Sequence, residues 1–386
     1  MKYTGHANRR FPSSVVIKQV NGSSGVTAFQ KLGLFLKPYF PSVSFGATIE
    51  ELAYRLHGYL IELQFYKTHS REVHVPIPQC YYSYYDYYNV RFLMIMEDLS
   101  ECDNGEPEGF TPEQASSLLT NLADLHAQFW HNTGFKSDKK LWSFGGYWLG
   151  DKEMSHHKAI PEVFDSALSN FPIILEEYPE ASKLKDLLAK QIERITHTVH
   201  AAEPKTVIHG DYKISNIFID MHQRPLKPYA IDWQWMGRGL CATDVAYFIY
   251  TSLSLQNRKW SLDTQCPGAT RDKQYPHYTA FEMDLLRTYY NALVKHENVQ
   301  DFTFEEFEQQ YALNQIYFTI FCIREKWSVM SPANMQFFKD NRIDGLHLRN
   351  PEHMIQMLKR TAELLPHVKL ESTTHRNPNR SWKNKL

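Results

Sequence analysis

The chain runs to 386 residues, 43% of them hydrophobic and 22% charged, which is enough to bury a large core as two lobes or two domains. Its 42 basic and 43 acidic side chains leave a net charge of −1, so no global field favours nucleic acid or an anionic membrane, and neither is expected as a partner. Cys80, Cys102, Cys241, Cys266 and Cys322 lie far apart with no CxxC pair, which argues against a disulfide framework or a zinc knuckle and for a reducing compartment.

The opening MKYTGHANRRFPSS has charge but no apolar segment of signal-peptide length after it. Ser14 to Lys18 is a β-branched run between Pro12 and Asn21-Gly22 and reads as a strand. Thr48 to His69 carries Leu52, Leu56, Tyr59, Leu60 and Leu63 at helical spacing. Val75-Pro76-Ile77-Pro78 ends that helix. Two strands follow, Cys80 to Tyr85 and Val90 to Met96, and the nearly all-apolar second one is expected at the sheet centre. Glu97 to Thr111, rich in Asp, Glu, Gly and Pro, reads as a linker between a small α+β lobe and a larger helical one.

Thr111-Pro112-Glu113 has the cap residue, proline and early negative charge that open a helix. Pro161 to about Ala201 suggests two further helices, and Asp244 to Leu365 is again mostly helical. Within that stretch Ile316 to Ile323 is the most apolar segment, well short of the roughly 20 residues that span a bilayer. A cytoplasmic protein is expected. Beyond Pro366 a basic tail is expected to be disordered. The organisation read from the sequence is therefore residues 1–99, 100–365 and 366–386.

The chemistry concentrates in Val207 to Ile219, VIHGDYKISNIFI. An apolar strand runs into His209-Gly210-Asp211, and Asn216 stands five residues after the aspartate. Sixteen residues further on, a second apolar run ends in Asp232, within AIDWQ. Phosphoryl transfer asks for this pattern, because its loose transition state leaves the protein mainly to position groups and neutralise charge. Asp211 suits the base that orients an attacking hydroxyl. Asn216 and Asp232 offer hard oxygens of the kind magnesium prefers beside phosphates. An isolated HGD would be a plain turn with Asp capping its own backbone; the composite of three spaced residues is more specific.

Here the chain resembles the protein-kinase-like phosphotransferases, in the branch of aminoglycoside phosphotransferases and choline kinases, and most of all the ecdysteroid-kinase-like group. HGDYKISN resembles that branch's catalytic loop, with Gly210 where protein kinases carry Arg, and IDWQ its metal-binding segment. VPIPQCYY (75–82), MEDL (96–99), LADLHAQFW (122–130), IDWQWMGRGLCATDVAYFI (231–249) and YNALVKHENVQDFTFEEF (290–307) match in kind and order, so the resemblance covers roughly Ser14 to Met330. It implies an α+β bilobal protein-kinase-like fold, with a small N-terminal sheet lobe, a large mainly helical C-terminal lobe, and a cleft where ATP and magnesium meet a small-molecule hydroxyl substrate. Asp211 would be the catalytic base, and Asn216 and Asp232 the metal ligands. Glu97, Asp98 and Leu99 would hold adenine through their backbone. Glu62 would pair with a strand lysine aimed at the α- and β-phosphates. His209 would support the loop and Asp244 brace it, while Lys213 would either touch the γ-phosphate or face water.

The strand lysine is Lys18, at the end of VVIK, with Lys37 as the rival; Pro38 disfavours continued strand after Lys37. Only fourteen residues precede Val15, too few for the strand, glycine-rich loop and strand that cover ATP phosphates, so the small lobe reads as truncated at its start. That departure supports the alternative of a nucleotide-binding pseudokinase or scaffold, against which Asp211, Asn216 and Asp232 stand intact. Trp142, Tyr147 and Trp148 flank Gly145-Gly146 and could line a pocket or pack in the core. His156-His157 reads as solvated surface.

Overall fold

The computed structural model describes residues 12, 14–21, 47–86, 91–105, 109–132, 142, 144–145, 160–264, 266–327, 331, 333–334, 336–337, 348 and 350–371. Lys37, Tyr147, Trp148 and the His156-His157 pair lie outside them.

The small lobe is built from β1 (Val15–Asn21), α1 (Ala47–Gln64), β2 (Cys80–Asp86) and β3 (Arg91–Glu97). The strands form an antiparallel sheet in the order β1-β3-β2, which places the apolar β3 at the centre as its composition suggests. Alternation along β3 buries Phe92, Met94 and Met96 on one face, where Phe92 meets Tyr59 of α1 at 5.3 Å. Lys18 pairs with Met94 and Val16 with Met96, so both β1 side chains point to that side of the sheet, where Lys18 is half-buried and Val16 stays exposed. Helix α1 continues into a wider π-type turn, Phe65–His69, whose Phe65 stacks on Trp233 of the larger lobe at 4.0 Å.

The linker after β3 is tied down rather than loose. Asp103 and Ile219 exchange backbone hydrogen bonds of 3.0 and 2.7 Å, which fixes the connection to the catalytic region. Helix α2 (Pro112–Gln128) then starts on a full capping box: Thr111 Oγ1 accepts from the Gln114 N–H, and Gln114 Oε1 accepts from the Thr111 N–H.

Pro161 to Ala201 forms three helices instead of two, α3 (Ile160–Asn170), α4 (Ile173–Glu177) and α5 (Ala181–Ala201). Pro172 and Pro179 lack the N–H that a continuous helix needs, and they delimit the short middle piece. Next come β4 (Thr206–Ile208), β5 (Ile217–Asp220), β6 (Lys227–Ala230) and β7 (Gly237–Gly239), paired as β4-β7 and β5-β6.

Further helices among the described residues are α6 (Cys241–Ser252), α7 (Leu255–Leu262), α8 (Ala280–Leu293), α9 (Phe304–Cys322) and α10 (Pro351–Leu364). Every residue of α6 is buried, as expected of a helix enclosed on all sides, and α9 packs against it. Past Pro366 the chain stays attached as far as the described residues run: the Glu371 N–H donates to Thr198 Oγ1, and Arg194 donates to Leu370 O. Among the described residues no helix is long and apolar enough to cross a membrane.

Candidate active site at the lobe junction

The loop from His209 to Asn216 is built from the backbone outward. Strand β4 delivers His209 and Gly210 to Asp244, whose Oδ2 accepts the His209 N–H at 2.7 Å and whose Oδ1 accepts the Gly210 N–H at 2.9 Å. Both donors and the carboxylate are buried, where such charge-assisted bonds are strong. The His209 ring is oriented from two sides. Its Nδ1 accepts from the Asp211 N–H at 3.2 Å, so its proton lies on Nε2, which donates to Ile231 O at 2.9 Å. The loop and the segment carrying Asp232 are thus joined through one imidazole.

Gly210 has φ +79°, and a Cβ there would run into the carbonyl oxygen of Trp235. Glycine is required by both the backbone conformation and the space. Asp211 follows, with only 2% of its surface exposed. Asn216 turns its amide NH₂ onto Asp211, donating to the main-chain O and to Oδ2 at 2.9 Å each. That orientation directs the Asn216 amide oxygen away from Asp211. Lys213 Nζ lies 3.4 Å from Asp211 Oδ2, so this lysine turns back onto its own loop.

The β5-β6 hairpin returns the chain to the same place. Ile217 pairs with Ala230, and the Ile231 N–H donates to Asn216 O at 2.9 Å, which sets Asp232 beside Asn216. Asp232 is left-handed, at φ 63° and ψ 61°, a conformation that Asp tolerates better than most residues. Its Oδ2 accepts from Gln234 Nε2 at 3.2 Å and its Oδ1 from Lys18 Nζ at 2.9 Å.

Lys18 crosses the junction. Its Nζ also meets Glu62 Oε2 at 2.7 Å and Oε1 at 3.0 Å. Burial works against the Lys18 ammonium, but Glu62 and Asp232 outweigh it and raise its pKa above the ordinary lysine value. Burial pushes the Glu62 carboxyl up to about 7, with Lys18 pulling it down and Asp232 pushing it further up.

At the start of the linker, Glu97 Oε2 accepts the Gln79 N–H, Leu99 O accepts the Cys102 N–H, and Asp98 Oδ1 accepts the Ser100 N–H, all at 2.9 Å. The structure therefore brings Lys18, Glu62 and Asp232 into direct contact, and Asp211, Lys213 and Asn216 likewise. Glu97, Asp98 and Leu99 stand together where β3 leaves the small lobe.

Sequence reasoning passed over His126. Its Nε2 meets Asp244 Oδ2 at 3.3 Å and its Nδ1 meets the Tyr289 hydroxyl at 2.6 Å, so it supports the carboxylate that braces the loop. The available signal was its position inside LADLHAQFW. Among the described residues no group of three or more His, Cys, Asp or Glu side chains gathers to hold a metal. One carboxylate and one amide oxygen remain, at Asp232 and Asn216. Such a pair fits magnesium, which keeps several waters and takes phosphate oxygens as further ligands.

Among curated proteins nothing matches the chain. Solved structures similar to it include a microcompartment-associated aminopropanol kinase (12% identity, 80% of this chain and 79% of that one, TM-score 0.39). An ADP-bound aminoglycoside phosphotransferase, APH(2'')-Ib, is similar at 14% identity over 80% and 83%, with TM-score 0.40. An aminoglycoside-3'-phosphotransferase of type VIII is similar at 15% identity over 78% and 83%, with TM-score 0.38. The model of the ecdysteroid kinase-like family matches residues 57–265, more than half of the chain, and spans the second half of α1, the catalytic loop and the Asp232 segment. With a small sheet lobe joined to a helical lobe through the Lys18–Asp232 ion pair, the chain is an α+β protein of bilobal kinase-like fold and belongs to the ecdysteroid kinase-like family.

Proposed function

We propose that the protein transfers the γ-phosphoryl group of ATP to a hydroxyl of a small molecule. The supporting observation is one continuous run of contacts. Glu62 holds Lys18 at 2.7 Å, Lys18 holds Asp232 at 2.9 Å, the neighbouring Ile231 N–H holds Asn216 O at 2.9 Å, and Asn216 holds Asp211 at 2.9 Å. Groups suited to the phosphates, to a divalent cation and to the acceptor hydroxyl therefore follow one another across the junction between the lobes.

In this reading Asp211 accepts the proton of the attacking hydroxyl and fixes its direction. Lys18, kept charged by two carboxylates, neutralises the α- and β-phosphates. The oxygens of Asn216 and Asp232 would hold magnesium, which supplies charge neutralisation between the β- and γ-phosphates. Lys213, already facing Asp211, meets charge developing on the transferred group. The adenine would lie against the backbone of Glu97 to Leu99, under the apolar Val16 that shares a sheet face with Lys18.

The test is ADP release from magnesium-ATP across a library of hydroxyl compounds, with Asp211→Asn as the control. A compound-dependent rate that falls by about 10³-fold or more in the variant is expected. ATP binding with no transfer to any compound would favour a pseudokinase instead.

A further inference from the structure

Helix α1 meets the Asp232 segment along one face. Tyr54, Gly58 and Glu62 are spaced four apart and lie above one another. They face successive residues of that segment: the Tyr54 ring lies 5.5 Å from Trp235, Gly58 abuts the Gln234 carbonyl, and Glu62 accepts the Trp233 N–H. One end of this contact is closed by the Lys18 ion pairs. The other end is closed by Trp142, which belongs to neither element.

The Trp142 indole N–H donates to Gln234 O at 2.9 Å. Its ring is nearly parallel to Trp235 at 6.1 Å, lies 5.1 Å from Tyr54, and takes His57 at 4.4 Å in an edge arrangement. It is itself anchored on β7, where its carbonyl accepts the Arg238 N–H at 3.2 Å. A Cβ on Gly237 would stand 2.7 Å from that carbonyl, so only glycine allows the approach. Trp142 thus grips α1 and the Asp232 segment together from a fixed strand.

We infer that Trp142 is a positioning residue, clamping α1 against the Asp232 segment and so setting where Glu62 holds Lys18. The inference rests on the reading of Lys18 as the phosphate lysine. A tryptophan that merely filled space would affect stability without acting at a lysine in the other lobe.

The experiment reads Lys18 directly in the nucleotide-free protein, by its rate of acetylation with an amine-reactive ester, followed by peptide mass spectrometry. Trp142→Ala should raise the Lys18 rate about tenfold, the loss of one aromatic stack and one part-buried hydrogen bond. Trp142→Phe, which keeps a ring but not the N–H, should fall between that variant and wild type and guards against an alanine variant that fails to fold. In a Glu62→Ala background, where Lys18 has lost the partner that α1 carries and keeps only Asp232, Trp142→Phe should add almost nothing. Wild-type labelling of Lys18 in both folded Trp142 variants, or an equal increase with and without Glu62, would overturn the inference. Because neither ATP nor acceptor enters the measurement, an absence of ATP turnover would count against the kinase reading alone.

Discussion

Lys18 and Lys37 are the two lysines that the sequence offers as partners for Glu62. Lys18 is brought to it, since an edge strand paired with β3 in fixed register turns Lys18 toward α1. The cost of this arrangement falls on Glu62, which is 1% exposed and stands near a second carboxylate. Its carboxyl is pushed up to about 7 from the ordinary 4.5. The folded, nucleotide-free protein therefore takes up a proton at Glu62 as pH falls through about 7, whereas the unfolded chain takes it up only near 4.5. Folding gains from this group as pH drops through that window, and gains nothing from it above about 7. Lys18 adds no slope there, because its pKa is raised from a value already far above neutrality. The thermal midpoint of wild type minus that of Glu62→Gln should accordingly shift in favour of wild type by several degrees between pH 8 and pH 5. A difference that stays flat would show that the carboxyl remains ionised throughout.

Among the elements, the loop from His209 to Asn216 depends most on a single backbone angle. Gly210 combines φ +79° with the Trp235 carbonyl lying where a side chain would begin. An alanine there meets both the left-handed penalty and an overlap with main chain that cannot swing aside, a loss of about 2–4 kcal/mol. Gly210→Ala should lower the denaturation midpoint accordingly. In whatever fraction folds, Asp211 is displaced, so magnesium-dependent ADP release should fall further than stability does. Unchanged activity would mean that the loop does not need this turn.

Gly210 was visible in the sequence as part of HGD, and so were the Thr111 cap and the central place of β3. Each of these is written in a few adjacent residues: a hydroxyl followed by a proline and a glutamate, or an apolar run without interruption. The grip of Trp142 on Gln234 was not visible, since 92 residues separate the two and a tryptophan beside glycines carries no mark of its partner. His126 was missed for the same reason, its partner Asp244 lying 118 residues away. Local chemistry could be read from the sequence, whereas contacts made only by the folded lobe could not.

At the scale of the whole molecule, the helical lobe is fastened by a buried charge that the sequence presents as one more arginine on a helix. Arg360 of α10 and Glu282 of α8 are both 0% exposed and meet at 2.6 Å. Arg360 also donates from Nε to Gln315 Oε1 of α9 at 3.2 Å and from Nη1 to His277 O, and its guanidinium lies over the Tyr278 ring at 4.4 Å. Glu282 in turn accepts from the Tyr311 hydroxyl at 2.7 Å and from Gln315 Nε2 at 3.2 Å. Three helices therefore share one hydrogen-bonded pair, and removing Arg360, which also reaches Glu363 at 3.4 Å, strands the Glu282 charge in a dry interior. Arg360→Met should cost ~3–5 kcal/mol in denaturant unfolding, whereas Arg360→Met combined with Glu282→Leu should recover most of it, because the isolated charge rather than the lost attraction sets the penalty. Burial already pushes the Glu282 carboxyl up, and without Arg360 it rises further. The deficit of the single variant should therefore shrink as pH falls and Glu282 takes a proton, while the double variant shows no such trend. A deficit that is independent of pH and equal in both variants would mean that packing volume, and not the pair, holds these helices together.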